Sequence, residues 1–157
     1  MARELGLFLL LDAKGGTGYT ASFLSNHPYT ARVRDAIAAK PNIVIVEGSP
    51  NDVDAVATKS AALEVLGALS KEATVKILVI GPMYLDKTDG RSTPVNEAVK
   101  TAAASLGLTY VDTIKAGWFT GSARSFVADD GVHPTDEGHK YLARLIVPLV
   151  KPMLPVS

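Results

Sequence analysis

Four short runs of leucine, isoleucine and valine punctuate the sequence, and longer amphipathic segments separate them. The runs are Leu7 to Leu11, Ile43 to Val46, Val75 to Ile80 and Leu108 to Val111. Continuous apolar runs of this length are typical of strands that are buried on both faces of a parallel sheet. The chain is therefore expected to build its core around parallel strands.

The segments between these runs have the spacing of helices. Thr30 to Lys40 and Thr58 to Ala73 repeat apolar residues every three or four positions. A third helix is predicted from Thr93 with Gly107 as its stop, and a last one from about Thr135. Strands that alternate with crossover helices predict an α/β fold in three layers. We expect a single domain over residues 1–157.

Composition excludes several classes of protein. The 157 residues carry 16 lysines and arginines against 16 aspartates and glutamates, so no basic excess favours nucleic acid. The chain has no cysteine, which rules out disulfides, thiolate zinc sites and a cysteine nucleophile but suits either redox compartment. The apolar stretch from Leu5 to Leu11 is far shorter than the roughly 20 residues of a membrane span, so no span is expected.

A glycine-rich segment follows the first apolar run. Residues 12–19 read DAKGGTGY, and their glycines let the backbone turn tightly and present N–H groups to a ligand. Gly16, Gly18 and Ala21 also satisfy the dinucleotide fingerprint G-x-G-x-x-A, although residues 26–28 (NHP) interrupt the helix that should follow. A glycine turn without a ligand is the third interpretation.

Residues 47–52 (EGSPND) follow the second run. The Asn51–Asp52 pair can cap the next helix. The amide of Asn51, held at the carboxyl end of a strand, can also donate hydrogen bonds to a developing oxyanion. Ligands of open parallel sheets bind at this end of the strands.

The segment Asp130-Gly131-Val132-His133-Pro134 lies just ahead of the last predicted helix. Asp130 can accept the Nδ1 proton of His133, which leaves Nε2 free to act as a base. His139 lies six residues further on, a poor spacing for two metal ligands on one helix, and we expect no metal. Trp118 and Phe119, flanked by glycines, either form a substrate wall or pack their loop onto the core.

The glycine-rich loop, the Gly-x-x-Asn-Asp turn and the Asp-x-x-His-Pro segment, in this order on an alternating α/β chain, resemble the SGNH hydrolases, also called the GDSL esterase/lipase family. The resemblance implies a flavodoxin-like sheet and hydrolysis of a small-molecule, lipid or carbohydrate ester without metal or organic cofactor. It implies that Gly15, or alternatively Gly16, gives a backbone N–H to the oxyanion. Asn51 would give a side-chain donor, His133 would be the general base and Asp130 its partner.

The chain departs from the family pattern in its first block, because it contains no Gly-Asp-Ser. We expect the first strand of a 2-1-3-4-5 sheet to be missing with it, which would expose the edges of both neighbouring strands. A strand of a partner chain or a second copy could complete the sheet. In an alternative alignment, Ala13 occupies the place of the nucleophilic serine. Ser49, which stands where the family usually has glycine, is a further candidate nucleophile.

Three functions are consistent with these patterns. The first is a serine ester hydrolase of the SGNH type, with activity in doubt because its serine block is absent. The second is a catalytically silent domain of the same family that binds an acylated or carbohydrate ligand or contributes to an assembly. The third is a Rossmann-like nucleotide binder, which depends on the glycine fingerprint alone.

Overall fold

The computed structural model describes residues 1–83 and 92–155. Its sheet has three parallel strands in the order β1-β2-β3: β1 (Ile43–Glu47), β2 (Lys76–Ile80) and β3 (Thr109–Val111). The α-helices are α1 (Tyr29–Ala38), α2 (Ala55–Ser70), α3 (Ser92–Ser105) and α4 (Asp136–Val150), with short 3₁₀ helices at Gly121–Phe126 and Lys151–Met153. The predicted α/β fold is confirmed, as are three of the four strands and all four helices.

The described residues divide into two compact units. One unit, residues 13–83 and 92–118, holds the sheet and helices α1 to α3. The other, residues 1–12 and 119–155, holds α4 and both 3₁₀ helices. The expectation of a single domain over residues 1–157 stays a prediction.

Parallel pairing fixes where the loops of the sheet begin. β1 pairs with β2 from Ile43 opposite Lys76 to Glu47 opposite Ile80. Parallel strands need a crossover between them, and α2 and α3 provide it. The ladder continues into the loop after β1, since the N–H of Gly48 donates to the carbonyl of Ile80 over 2.8 Å. The loop that carries Asn51 therefore starts at the carboxyl edge of the sheet.

The core lies around the central strand β2. Leu78, Val79 and Ile80 are each at most 1% exposed. From the helices α2 and α3, which pack against each other, the core receives Ala62, Val65, Leu66, Leu69, Val99, Ala102 and Ala103. These are faces that the three- and four-residue spacing predicts. Within the described ranges, no helix is both long enough and apolar enough to cross a membrane.

The helix ends confirm one prediction and correct another. Gly107 has φ +67° beyond the end of α3, and the N–H of Leu108 closes back on the carbonyl of Ala103 over 3.0 Å, so the predicted stop is confirmed. The predicted cap of α2 by the Asn51–Asp52 pair is wrong. The side chain of Asp54 caps that helix, because it accepts the first free N–H groups of α2.

The first predicted strand is also wrong. Residues 7–11 belong to no strand, and Phe8 and Leu11 are 90% and 78% exposed. A run of apolar residues becomes a strand only when a neighbour pairs with its backbone groups. Among residues 1–83 and 92–155 the sheet ends at β1, whose outer edge has no partner strand. This is the open edge that the absence of a central strand predicts.

The burial of α2 predicts unequal costs for two leucines of that helix. Leu66 is fully buried, whereas Leu63 is 37% exposed. Leu66→Ala should lower the free energy of unfolding by about 2–5 kcal/mol through a lost transfer term and a cavity. Leu63→Ala should cost about 1 kcal/mol or less. Urea unfolding of both variants measures the difference, and equal costs would contradict the described packing of α2.

Candidate functional site

The glycine loop, residues 14–21, opens with a tight turn. The backbone N–H of Thr17 (3.4 Å) and its hydroxyl (2.8 Å) both donate to the carbonyl of Lys14. Gly15 and Gly16 lie inside this turn. Gly16 has φ +72°, which glycine adopts without strain. The side-chain amide of Asn26 donates to the carbonyl of Gly15 over 3.0 Å. No described residue accepts a hydrogen bond from the N–H of Gly15 or Gly16, so both remain available as donors.

Asn51 lies against this loop. Its Nδ2 donates to the carbonyl of Thr17 (3.3 Å) and to Oγ of Ser49 (3.0 Å). The backbone N–H of Asn51 donates to the same hydroxyl oxygen over 3.1 Å. The structure therefore brings Asn51 and the glycine loop into direct contact. Its role as an oxyanion donor stays a prediction, and Ser49 acts here as the acceptor that fixes the orientation of the amide.

Asp52 is the residue that the sequence reasoning missed. It is 1% exposed, and its carboxylate accepts the N–H groups of Tyr19 (2.8 Å), Thr20 (2.8 Å) and Ala21 (3.0 Å) and the hydroxyl of Thr20 (2.8 Å). A Cβ on Gly18 would collide with this carboxylate. The sequence does carry one signal for another role of Asp52. A second acidic residue, Asp54, lies two positions later and caps α2, so Asp52 is not needed as the cap.

The same contacts argue against a dinucleotide site. The N–H groups after Gly18 that would face a pyrophosphate already bind Asp52. Helix α1 begins only at Tyr29, so no helix opens directly after the fingerprint glycines. In the described part of the chain, no three histidine, aspartate or glutamate side chains gather as a metal site, and His139 is exposed.

Asp130 and His133 form the predicted hydrogen bond. Nδ1 of His133 lies 2.8 Å from Oδ2 of Asp130, while Oδ1 accepts the N–H groups of Val132 (2.8 Å) and His133 (2.9 Å). The hydrogen bond from the His133 ring, followed by these two N–H groups, lowers the pKa of Asp130 to about 2. An ionised carboxylate only accepts, so Nδ1 carries the proton and Nε2 of the neutral ring is free to accept one. Both side chains are exposed.

Backbone hydrogen bonds before and after the Asp130–His133 pair hold its loop in place. The N–H of Ala128 donates to the carbonyl of His133, and the N–H of Thr135 donates to that of Phe126, each over 2.8 Å. The hydroxyl of Thr135 then caps α4 by accepting the N–H of Gly138 over 3.1 Å. A Cβ on Gly138 would collide with the carbonyl of Phe126, so only glycine allows this close approach. The predicted start of α4 near Thr135 is confirmed.

Trp118 and Phe119 pack into the protein. They are 7% and 5% exposed, and the ring of Phe119 meets Tyr141 of α4 edge-on with 5.8 Å between centroids. These contacts favour the packing interpretation of the two aromatic residues over a substrate wall.

Comparison with known proteins identifies the family. Residues 1–141 match the family described as GDSL-like lipase/acylhydrolase. The chain belongs to this family. A GDSL lipase of Mycobacterium tuberculosis is 28% identical over 156 residues, which cover 95% of this chain and 67% of the relative. The match confirms the family that the motif order predicted.

Two solved structures share the fold of this GDSL family member. The lipase/acylhydrolase from Enterococcus faecalis superposes with a TM-score of 0.70 at 21% identity, and a mutant of the esterase AlinE4 with 0.52 at 20%. Each comparison covers 81% of this chain and 70% of the other. At such identities these likenesses establish the fold alone.

The shifted pKa of Asp130 predicts its titration. Its carboxyl carbon should titrate at about pH 2 in ¹³C NMR, below the usual 3.8. A carboxyl group with a lowered folded-state pKa stabilises the folded chain above its unfolded pKa, and this contribution disappears as the pH falls through about 2. His133→Ala should move the midpoint back toward 3.8. A native midpoint near 4 would contradict the described hydrogen bond.

Tyr19 offers a second prediction, because its buried hydroxyl has no partner among the described residues. Burial, followed by the nearby Tyr29, Tyr110 and Asp52, raises its pKa well above 10. Tyr19→Phe should raise the free energy of unfolding by about 1 kcal/mol, since it removes an unsatisfied polar group. Tyr29→Phe is the control: it loses a 2.9 Å bond to the carbonyl of Glu47 and should destabilise. Destabilisation by both variants would disprove this account of Tyr19.

Proposed function

We propose that this chain supplies the base and the oxyanion donors of an SGNH-type carboxylic ester hydrolase. The observation that carries the proposal is the 2.8 Å hydrogen bond between Nδ1 of His133 and Asp130. It sets the tautomer that a general base needs, in a chain of a hydrolase family. The substrate class is a small-molecule or carbohydrate ester, and the proposed chemistry requires no metal or organic cofactor.

In this mechanism His133 moves the proton. Its Nε2 accepts the proton of a serine hydroxyl as the oxygen attacks the ester carbonyl, and the resulting imidazolium is stabilised by the Asp130 carboxylate. The imidazolium then gives the proton to the leaving alcohol. A water molecule repeats the sequence on the acyl-enzyme and releases the carboxylic acid.

Gly15 and Asn51 stabilise the tetrahedral oxyanion. The N–H of Gly15, or that of Gly16, is available in the turn described above. Both hydrogens of the Asn51 amide are already engaged, and the 3.3 Å bond to Thr17 is the longer one. The oxyanion is therefore proposed to replace Thr17 as the acceptor, because the longer of the two bonds is the weaker one.

The nucleophile is the part of the scheme that the 157 residues do not visibly contain. Ser49 is a weak candidate, because its hydroxyl oxygen accepts two hydrogen bonds from Asn51 and the residue is only 5% exposed. We propose instead that the serine belongs to a strand ending in Gly-Asp-Ser that pairs with the open edge of β1. A strand of a partner chain or a second copy would use the same edge.

The alternative is a catalytically silent family member that binds an acylated or carbohydrate ligand or joins an assembly. The absence of Gly-Asp-Ser from the sequence favours it. A fluorophosphonate probe applied to a fusion that carries an added Gly-Asp-Ser strand separates the two functions. Stoichiometric labelling of the added serine supports the hydrolase, whereas a fully unlabelled fusion supports the silent domain.

Esterase turnover of a p-nitrophenyl ester should be very low for this chain alone. Oxyanion donors and binding without a nucleophile leave only about 10³- to 10⁴-fold acceleration over water. Fusing a strand that ends in Gly-Asp-Ser should raise turnover by orders of magnitude if the strand pairs with β1. His133→Ala in the fused protein should abolish that gain.

A matched fusion ending in Gly-Asp-Ala controls for the strand itself, because it restores pairing without the hydroxyl. Robust hydrolysis by the unmodified chain that disappears in Ser49→Ala would overturn the proposal and identify Ser49 as the nucleophile.

A further inference from the structure

A buried carboxylate connects the loop after β1 to the glycine loop. Asp52 spreads four hydrogen bonds over both of its oxygens: Oδ2 accepts from Tyr19, and Oδ1 accepts from the N–H and hydroxyl of Thr20 and from Ala21. A buried carboxylate is costly unless its oxygens are satisfied in this way. Asparagine has a single side-chain oxygen, so it cannot replace both acceptor atoms of Asp52.

Helix capping does not explain this carboxylate. The side chain of Asp54 accepts the N–H groups of Val56 and Ala57 at the start of α2, while the described hydrogen bonds of the Asp52 side chain all come from residues 19–21. Asp52 thus acts on a segment more than thirty positions earlier in the chain.

The two neighbouring side chains Asn51 and Asp52 hold consecutive parts of the glycine loop. Asn51 binds the carbonyl of Thr17, and Asp52 binds the three N–H groups that begin at Tyr19. Thr17 is 3% exposed and closes the turn around Gly15 and Gly16. Asp52 therefore acts on the available N–H groups of Gly15 and Gly16 through Gly18 and Thr17, and its bonds remain when the Asn51 amide turns from Thr17 to the oxyanion. Gly18 permits the close approach of the carboxylate.

We propose that Asp52 is a positioning residue that orients the N–H groups of Gly15 and Gly16 toward the oxyanion of a bound ester or the carboxylate of its product. The proposal rests on the donor role given to this loop under the proposed function. Asp52 itself touches no reacting atom, because its oxygens are occupied by the loop.

The test compares Asp52→Asn with Asp54→Asn in the full chain. Both variants remove a carboxylate that accepts backbone N–H groups, yet only Asp52 contacts the glycine loop. Acetate, a product-like carboxylate, is titrated while the amide resonances of Gly15 and Gly16 are followed by NMR. Asp52→Asn should weaken acetate binding by about tenfold or more, the loss expected when a charge-assisted hydrogen bond is removed. Asp54→Asn should leave the affinity within about twofold of the native value.

A milder variant covers the case in which Asp52→Asn fails to fold. Thr20→Val removes only the hydroxyl donor of the four and keeps the N–H. It should weaken acetate binding by a smaller factor and speed amide exchange at residues 19–21. Native acetate affinity in a folded Asp52→Asn variant, or in Thr20→Val if the first does not fold, would overturn the proposal. An equal loss in Asp54→Asn would overturn it as well.

The readouts separate this inference from the proposed function. If acetate leaves the Gly15 and Gly16 resonances of the native chain unmoved, the donor role has failed. The chemical shifts of the Gly15 and Gly16 amides, compared between the variants and the native chain without acetate, still report the conformation of the glycine loop. Shifts in Asp52→Asn or Thr20→Val but not in Asp54→Asn support positioning by Asp52, and unchanged positions in all three overturn it.

Discussion

The backbone pairing of β2 is the constraint on which the sheet depends. β2 lies between two parallel partners, so both of its edges are satisfied, and its side chains Leu78, Val79 and Ile80 are almost fully buried. Parallel neighbours oblige the chain to return through a helix each time, which sends every strand in the same direction. The loop from Gly48 to Asp52 follows from this geometry. Its position at the carboxyl edge is a consequence of pairing rather than of its own sequence.

The sequence predicted what depends on local periodicity. The strands around Ile45, Leu78 and Tyr110 were recognisable because short continuous β-branched and leucine runs are typical of buried strands, and Gly107 marked a helix end through its own backbone preference. Residues 7–11 have the same composition, but a strand also needs a neighbouring strand to pair with. The composition of a segment does not show whether such a neighbour exists. The pattern was therefore correct about apolar character and wrong about structure.

In the candidate site, too, local contacts could be predicted from the sequence and contacts between distant residues could not. The Asp130–His133 bond spans three positions and could be predicted from its spacing. Asp52 could not, since its partners lie more than thirty positions away and backbone N–H groups leave no signature in sequence. The two aspartates also differ in surroundings. Asp130 holds its histidine in contact with solvent, where a substrate can approach, whereas Asp52 is enclosed by the loop that it anchors.

The apolar run that found no strand has a consequence for the behaviour of the chain in solution. Phe8, Leu9, Leu10 and Leu11 are each at least 55% exposed, with no proline or charge among them until Asp12. Segments of this composition nucleate cross-β aggregation when they remain accessible. Asp12 is then a gatekeeper charge at one end of the run, and the open edge of β1 is a second place among the described residues where an added strand could pair.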